Sequence, residues 1–417
     1  MAYKILSLDG GGTWALIQAR ILFKKYSDKY DENVTGHQVL KNYDLVIANS
    51  GGSLVLAMLC ANHKLLHIVQ TFENVSVLRD IFKRKIVHSL PILKDFLPNY
   101  HTENKFGVFQ RHLENEGEKY GNIFLDQLPS KIGKEIDIVI TAFDYDRERA
   151  TYFRSNSKSM MESYRIQNET FPDNKEENSF TRITLAQAVH ASSNAPVIFF
   201  DDPAQIALKI QNLDSKNETK SDKLFWDGAV GGNNNPVKSA LLEALANDVN
   251  VSDIHIVSIG TANVIRPIIK SGYSSEYDFM CKESKILGFK ADLLKMSNSI
   301  LSDPPDAATF DTHQIMRLPY AERTPRLIRI NPLVKPRLKE KKWGKPGVNW
   351  SEEDLKMLFK MDMAIASAEG VRLLNKLCDD FFKDAFDNQG IRLSGEKMEP
   401  ILGHRKFTDA LNDWDWG

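Results

Sequence analysis

The chain has 417 residues, of which 42% are hydrophobic, 10% aromatic and 26% charged. That length and balance suit one large globular domain or two smaller ones, and they exclude disordered and collagen-like architectures for the chain as a whole. Lys plus Arg number 54 against 55 for Asp plus Glu, a formal net charge of -1, so no global cationic field exists to hold nucleic acid.

Three widely spaced cysteines, Cys60, Cys281 and Cys378, argue against a disulfide framework or a Cys-rich zinc site and suit a reducing compartment. Met1–Leu8 runs into glycines before it reaches the length of a secretory signal. Leu54–Ala61, the longest uninterrupted apolar stretch near Ser50, is far short of a membrane span. The expectation is a cytoplasmic protein that meets membranes at their surface, with export by a non-Sec route left open.

Taken in chain order, Tyr3–Leu8 reads as a buried strand ended by Asp9-Gly10-Gly11-Gly12. Trp14–Tyr26 has helical spacing through Leu16, Ile17, Ile21, Leu22 and Tyr26. A second strand, Asp44–Ala48, runs into Asn49-Ser50-Gly51-Gly52, and Leu54–Ala61 continues as an apolar helix. Between Val75 and Gly121 aromatic and basic residues mix in what reads as a helical excursion, with a mobile cap over a site as the alternative. Glu135–Phe143 and Asp253–Ile259 read as further strands. Ser155–Asn178 and Asn212–Lys223 read as polar surface insertions, the second as a hairpin loop. Apolar strands alternating with helices predict an α/β fold with a mainly parallel sheet covered on both faces.

Past about Ile330 the character changes. Lys335–Lys345 carries six basic residues against the single acid Glu340, which reads as a solvated loop with anionic lipid as a second reading. Ser351 offers an N-cap followed by three acids and then Leu355, Leu358 and Phe359, so a C-terminal helical segment follows.

Three segments carry residues suited to chemistry. A serine hydroxyl becomes a nucleophile only when a base takes its proton and the backbone presents it. The strand–turn–helix around Ser50, with small neighbours at Ala48, Gly51 and Gly52, supplies the presentation; a plain N-cap in a glycine turn explains the same residues. Asp9–Gly12 leaves backbone N–H groups at a helix start, able to cradle a phosphate or an oxyanion. No Gly-Lys-Ser/Thr follows, and Ala15 stands where a dinucleotide fingerprint wants Gly. Asp227, after Leu224-Phe225-Trp226 and before Gly228-Ala229, suits a partly buried base or an Asx-turn carboxylate. A histidine triad would draw on a late residue such as His255 or His313. No His/Cys/Asp/Glu spacing points to a metal.

Together these segments resemble the patatin-like phospholipase family, serine lipid acyl hydrolases with a Ser–Asp dyad and no catalytic histidine. The match runs LSLDGGG (Leu6–Gly12), ANSGGS (Ala48–Ser53), ASSNAPVIF (Ala191–Phe199) and DGAVGGNNNP (Asp227–Pro236), in the family's order. ITAFDYDRERATYF (Ile140–Phe153) and VSIGT (Val257–Thr261) agree further. The resemblance implies Ser50 as nucleophile, Asp227 as base, and the N–H groups of Gly10, Gly11 and Gly12 as oxyanion hole. Ala191–Phe199 would shape the acyl pocket, with structural roles for Asn194 and Pro196. It implies a three-layer α/β/α catalytic domain over residues 1–330 and a helical extension over 331–417. The implied activity is cleavage of glycerolipid esters, of phospholipase A or lysophospholipase type. Acyl transfer by the same dyad, an activator-dependent effector and a non-catalytic lipid-binding relative are the alternatives.

The implied partner is membrane phospholipid or lysophospholipid, with neither nucleic acid nor cofactor nor metal, and with room for a protein or small-molecule activator. Two departures stand out: Ala48 replaces the first Gly of Gly-x-Ser-x-Gly, and Trp14-Ala15 replaces the Arg-Gly that usually follows the glycine loop.

Overall fold

The apolar runs of the sequence become strands of one nine-stranded sheet. In this computed structural model, which describes residues 2–83, 99–156, 179–196, 199–212, 218–282, 306–317 and 326–414, they are β1 (Tyr3–Leu8), β2 (Leu45–Ala48), β3 (Asp137–Asp144), β4 (Arg149–Arg154), β5 (Ser179–Arg182), β6 (Ala204–Asn212), β7 (Glu218–Asp227), β8 (Ile254–Ile259) and β9 (Leu327–Ile330). The order is β9-β8-β1-β2-β3-β7-β6-β5, with β4 also on β3. The five strands β9, β8, β1, β2 and β3 are parallel, and β7 adds antiparallel to the end of β3. The chain thus has the α/β architecture with a mainly parallel core that its patterning predicts.

Alternation along these strands separates two apolar layers. Leu6, Leu8, Val46, Ala48, Ile138 and Ile140 face a large cluster containing α1 (Leu16–Tyr30) and α2 (Ser50–Cys60). Ile5, Leu45, Ile47 and Val139 face the opposite layer, with Val237, Ala240 and Leu241 of the helix Val237–Ala246. Sheet between helices is the three-layer arrangement that buries all three surfaces.

Several boundaries differ from the sequence reading. The helix after the second strand begins at Ser50 itself: glycines at positions 51 and 52 weaken the pattern, but the close approach of α2 to the glycine loop requires them. A Cβ on Gly51 would stand 2.3 Å from the Gly12 carbonyl oxygen. In place of a loop from Asn212 to Lys223, β6 and β7 form an antiparallel hairpin whose paired strands resume at Glu218. The excursion contains helices at Val75–Ile81 and Glu103–His112, while residues 84–98 and most of the Ser155–Asn178 insertion lie outside the described residues.

The basic run is a hairpin, Arg337–Lys339 against Lys342–Gly344, turning at Glu340 and Lys341 with φ of 46° and 66°. Alternating exposure along it hid a strand pattern behind the charges. Ser351 caps its helix as expected, its Oγ accepting from the Asp354 N–H at 3.1 Å. The last region holds α-helices Glu352–Lys360 and Ala368–Phe382 together with short strands. Their apolar faces join the cluster around α1. Among the described residues, no helix is long and apolar enough to cross a membrane.

Candidate active site

The register of the sheet brings the three motifs to one edge. Leu8 pairs with both Ala48 and Ile259, Ala48 pairs with Ile140, and Ala142 pairs with Asp227. The glycine loop, the Ser50 turn and Asp227 therefore leave the sheet at neighbouring carboxyl ends, where α/β sheets hold their ligands.

Ser50 has φ of 48°, a left-handed conformation that costs a non-glycine residue about 1–3 kcal/mol and persists only when its surroundings fix it. Two hydrogen bonds do so: the Ser50 N–H donates to Ser192 Oγ at 2.9 Å, and Ser53 Oγ donates to the Ser50 carbonyl at 2.6 Å. The result places the hydroxyl at the first residue of α2, where the helix dipole favours developing negative charge.

Asp227 is 2% exposed. Its Oδ1 accepts from Asn49 Nδ2 at 3.0 Å and from the Ala229 N–H at 2.9 Å, and the Ser50 side chain is near enough to favour its ionised form. Asn49 is held in turn by Thr141 Oγ1, which donates to its Oδ1 at 2.7 Å. Burial pushes the Asp227 carboxyl above the ordinary carboxylate range, against the pull of Ser50, Ala229, Asn49 and Lys105. A carboxylate made more basic by burial and lying near a serine side chain has the chemistry of a general base. The Asx-turn contact expected of Asp227 is made, to the Ala229 N–H, and the same carboxylate lies near the Ser50 side chain.

The glycine loop requires one correction. The Gly10 N–H donates to the Asn234 carbonyl at 2.7 Å, so it is occupied in holding the DGAVGGNNNP segment and is not a free oxyanion donor. Gly12 lines the void beside Ser50, and its φ of 57° turns the loop there. Asp9 anchors the loop from below: Arg329 bonds it in bidentate fashion, at 2.8 and 2.5 Å, with both side chains buried.

The segment Ala191–Phe199 braces both members of the pair. Ser192 holds Ser50, and the Asn194 carbonyl accepts from the Asp227 N–H at 3.0 Å. Ser193, Ala195 and Phe199 line the void, with Leu54, Ile81, Phe82, Phe109 and Phe200; Val197 and Ile198 are outside the described residues. Among the described residues neither His255 nor His313 lines it, and no group of three His, Cys, Asp or Glu is placed to hold a metal ion.

Two participants were invisible to sequence reasoning. Lys105, 0% exposed, lines the same void. Met363, from the far end of the chain, lines it as well. Its carbonyl accepts from the Thr13 N–H at 2.9 Å and Thr13 Oγ1 at 2.8 Å, Ile365 N–H donates to that same Oγ1 at 2.9 Å, and Trp14 Nε1 donates to the Asp362 carbonyl at 2.8 Å. Trp14, which departs from the usual Arg, thus fastens the glycine loop to residues 362–365. The void left beside Ser50 is only about 30 Å³.

Residues 6–241, more than half of the chain, match the Patatin-like phospholipase family. The chain belongs to the patatin-like phospholipase family. Membership implies lipid hydrolase activity. No curated protein matches the chain. Among solved structures, VipD from Legionella pneumophila aligns at 11% identity over 91% of this chain and 67% of its own, with a TM-score of 0.31. The type III effector protein ExoU aligns at 14% identity over 46% of this chain and 40% of its own, with a TM-score of 0.24. ExoU bound to SpcU, from the type III secretion system of Pseudomonas aeruginosa, gives the same identity and score over 46% and 38%. The chain spans less than half of ExoU.

Proposed function

We propose that this patatin-like protein is a serine-dependent lipid acyl hydrolase, of phospholipase A or lysophospholipase type, with residues 1–330 as catalytic domain and 331–417 as an extension packed on it. One observation carries the reading: Ser50, on a strained turn at a helix start, has its side chain beside a buried carboxylate, Asp227, whose proton affinity burial raises.

Ser50 Oγ attacks the acyl carbonyl of a membrane glycerolipid while Asp227 accepts its proton. The N–H groups of Gly11 and Gly12 stabilise the tetrahedral oxyanion. The alcohol leaves with the proton from Asp227, and water activated by the regenerated carboxylate releases the acyl group from Ser50. Loss of one oxyanion donor in such a site costs roughly 100–1000-fold in rate; loss of the nucleophile removes the covalent path altogether. The protein works at the membrane surface and otherwise resides in the cytoplasm or leaves by a non-Sec route.

Fatty-acid release from mixed phospholipid vesicles, measured for wild type and Ser50→Ala without added calcium, tests the assignment. Release by wild type alone supports it. Equal release by both proteins removes Ser50 from the mechanism.

A further inference from the structure

Lysine ordinarily keeps its ammonium in water while its stem lies along apolar surface. Lys105, in the first turn of the helix Glu103–His112, does the reverse. It is fully buried, and its Nζ donates to Asn194 Oδ1 at 2.9 Å over the face of Phe200, 4.1 Å from the ring centroid. Asn194 is held at both ends of its amide, since its Nδ2 donates to the Asp202 carbonyl at 2.8 Å. Its backbone carbonyl is the acceptor for the Asp227 N–H. A single residue therefore links the lysine to the general base.

We propose, resting on the dyad reading above, that Lys105 is a positioning residue: through Asn194 it fixes Asp227, and by its charge it governs the pH range in which Asp227 can take the Ser50 proton.

The charge argument follows from what faces Nζ. Its charge is felt by Asp227 of β7 and by His190 of the helix Leu185–Ser192, whose ring is also buried. Phe109 and Phe200 complete the wall. Among the described residues, Asp227 is the carboxylate whose charge acts on Lys105, and Lys105 is the side-chain cation that acts on Asp227. Burial pulls the amine well below the ordinary lysine range. Where the ammonium persists, it stabilises the Asp227 carboxylate and weakens it as a base. Once the ammonium loses its proton, Asp227 is left to burial and becomes a stronger base. Each charge thus bears on the protonation of the other group. A purely structural lysine would need only the bond to Asn194.

The test is the pH dependence of Ser50 labelling by a small fluorophosphonate, which reads nucleophile activation without lipid binding or turnover. Wild type, Lys105→Met and Lys105→Gln are compared, with Ser50→Ala as the labelling control. Gln keeps a donor near Asn194 and discards the charge. Both variants are expected to move the acidic limb of the labelling rate upward by about one pH unit, because Asp227 loses the cation that favours its ionised form. Limbs coincident with wild type in folded Lys105→Gln overturn the proposal, as does loss of labelling in both variants at every pH, which would make the residue structural. Absence of Ser50 labelling in wild type overturns the dyad reading itself and is thereby distinguished. If Lys105→Met does not fold, Lys105→Gln alone decides.

Discussion

The bonds between the glycine loop and residues 362–365 make Thr13→Val a sharp test of how the site is closed. Thr13 is 3% exposed, and valine matches its shape while removing Oγ1. Two hydrogen bonds disappear: Oγ1 to the Met363 carbonyl, and the Ile365 N–H to Oγ1. The carbonyl keeps its bond from the Thr13 N–H, but the Ile365 N–H is left buried without that acceptor. A lost neutral bond is worth about 1 kcal/mol net, and an orphaned buried donor costs about 1–3 kcal/mol. An opened segment exposes the amide to water and escapes that penalty, so the substitution lowers the free energy of local opening by about 2 kcal/mol. At 1.4 kcal/mol per factor of ten, exchange of the Ile365 amide should accelerate about 30-fold, read by hydrogen exchange on peptides spanning residues 361–367. Lipid hydrolysis should rise with it, because Met363 is one wall of a void of only about 30 Å³ beside Ser50, and loosening that wall enlarges it. Wild-type exchange rates across that peptide would refute the reasoning, since the two bonds would then not be what holds the segment down.

Three other substitutions probe the site. Asp227→Asn should abolish fatty-acid release, yet melt at or above the wild-type temperature at pH 7. A buried acid whose proton affinity is raised by folding stabilises below its unfolded value of 3.8 and loses that contribution as pH rises through its folded value; the difference in melting temperature should therefore widen from pH 4 to pH 7. Gly12→Ala adds a Cβ only 2.6 Å from the Met363 carbonyl oxygen, in a left-handed conformation. Calorimetry should show a loss of about 1–2 kcal/mol from backbone strain alone, with activity reduced. Arg329→Met strips Asp9 of its bidentate partner and leaves a buried uncompensated carboxylate, so denaturant titration should find about 3–5 kcal/mol less stability.

What the sequence disclosed follows a physical division. Strand runs such as Tyr3–Leu8 are fixed by nearest neighbours and appear where local pattern places them, whereas Ser50–Gly52, which reads as a turn, is the first turn of α2. The meeting of Ser50 and Asp227 needs both the parallel pairing of β2 with β3 and the antiparallel pairing of β7 with β3; motif order suggested the pair but not this geometry. Partners drawn from remote chain were not legible. Arg329 is 320 residues from Asp9 and Met363 is 350 from Thr13, and neither carries a local signature. Gly10 shows the same limit in miniature: three glycines offer three amides, but only the fold reveals that one is given to Asn234. Lys105 sits in a segment whose mixed aromatic and basic residues resemble a surface helix, and nothing local distinguishes a lysine turned inward.

The same remote contacts bear on whether residues 331–417 can be removed. Arg20 of α1 donates to the Asn375 side chain at 2.8 Å and to Asp379 at 2.7 Å. Leu355, Leu358, Phe359, Leu373, Leu374, Leu377 and Phe381 are buried in the cluster that contains α1 and Trp14. At about 1.5–3 kcal/mol for each fully buried side chain, these seven contribute roughly 10–20 kcal/mol as an upper estimate, comparable to the entire 5–15 kcal/mol of a typical domain. Part of that burial is internal to the extension, but the face shared with α1, together with Thr13 and Trp14, would be bared by truncation. A fragment ending at Ile330 should therefore aggregate or bind a hydrophobic dye, and the full chain should melt in one calorimetric transition. Two separated transitions, or a soluble fragment 1–330 that labels Ser50 at the wild-type rate, would show that loop and extension are independent. In that event Trp14 would have to be explained without Asp362.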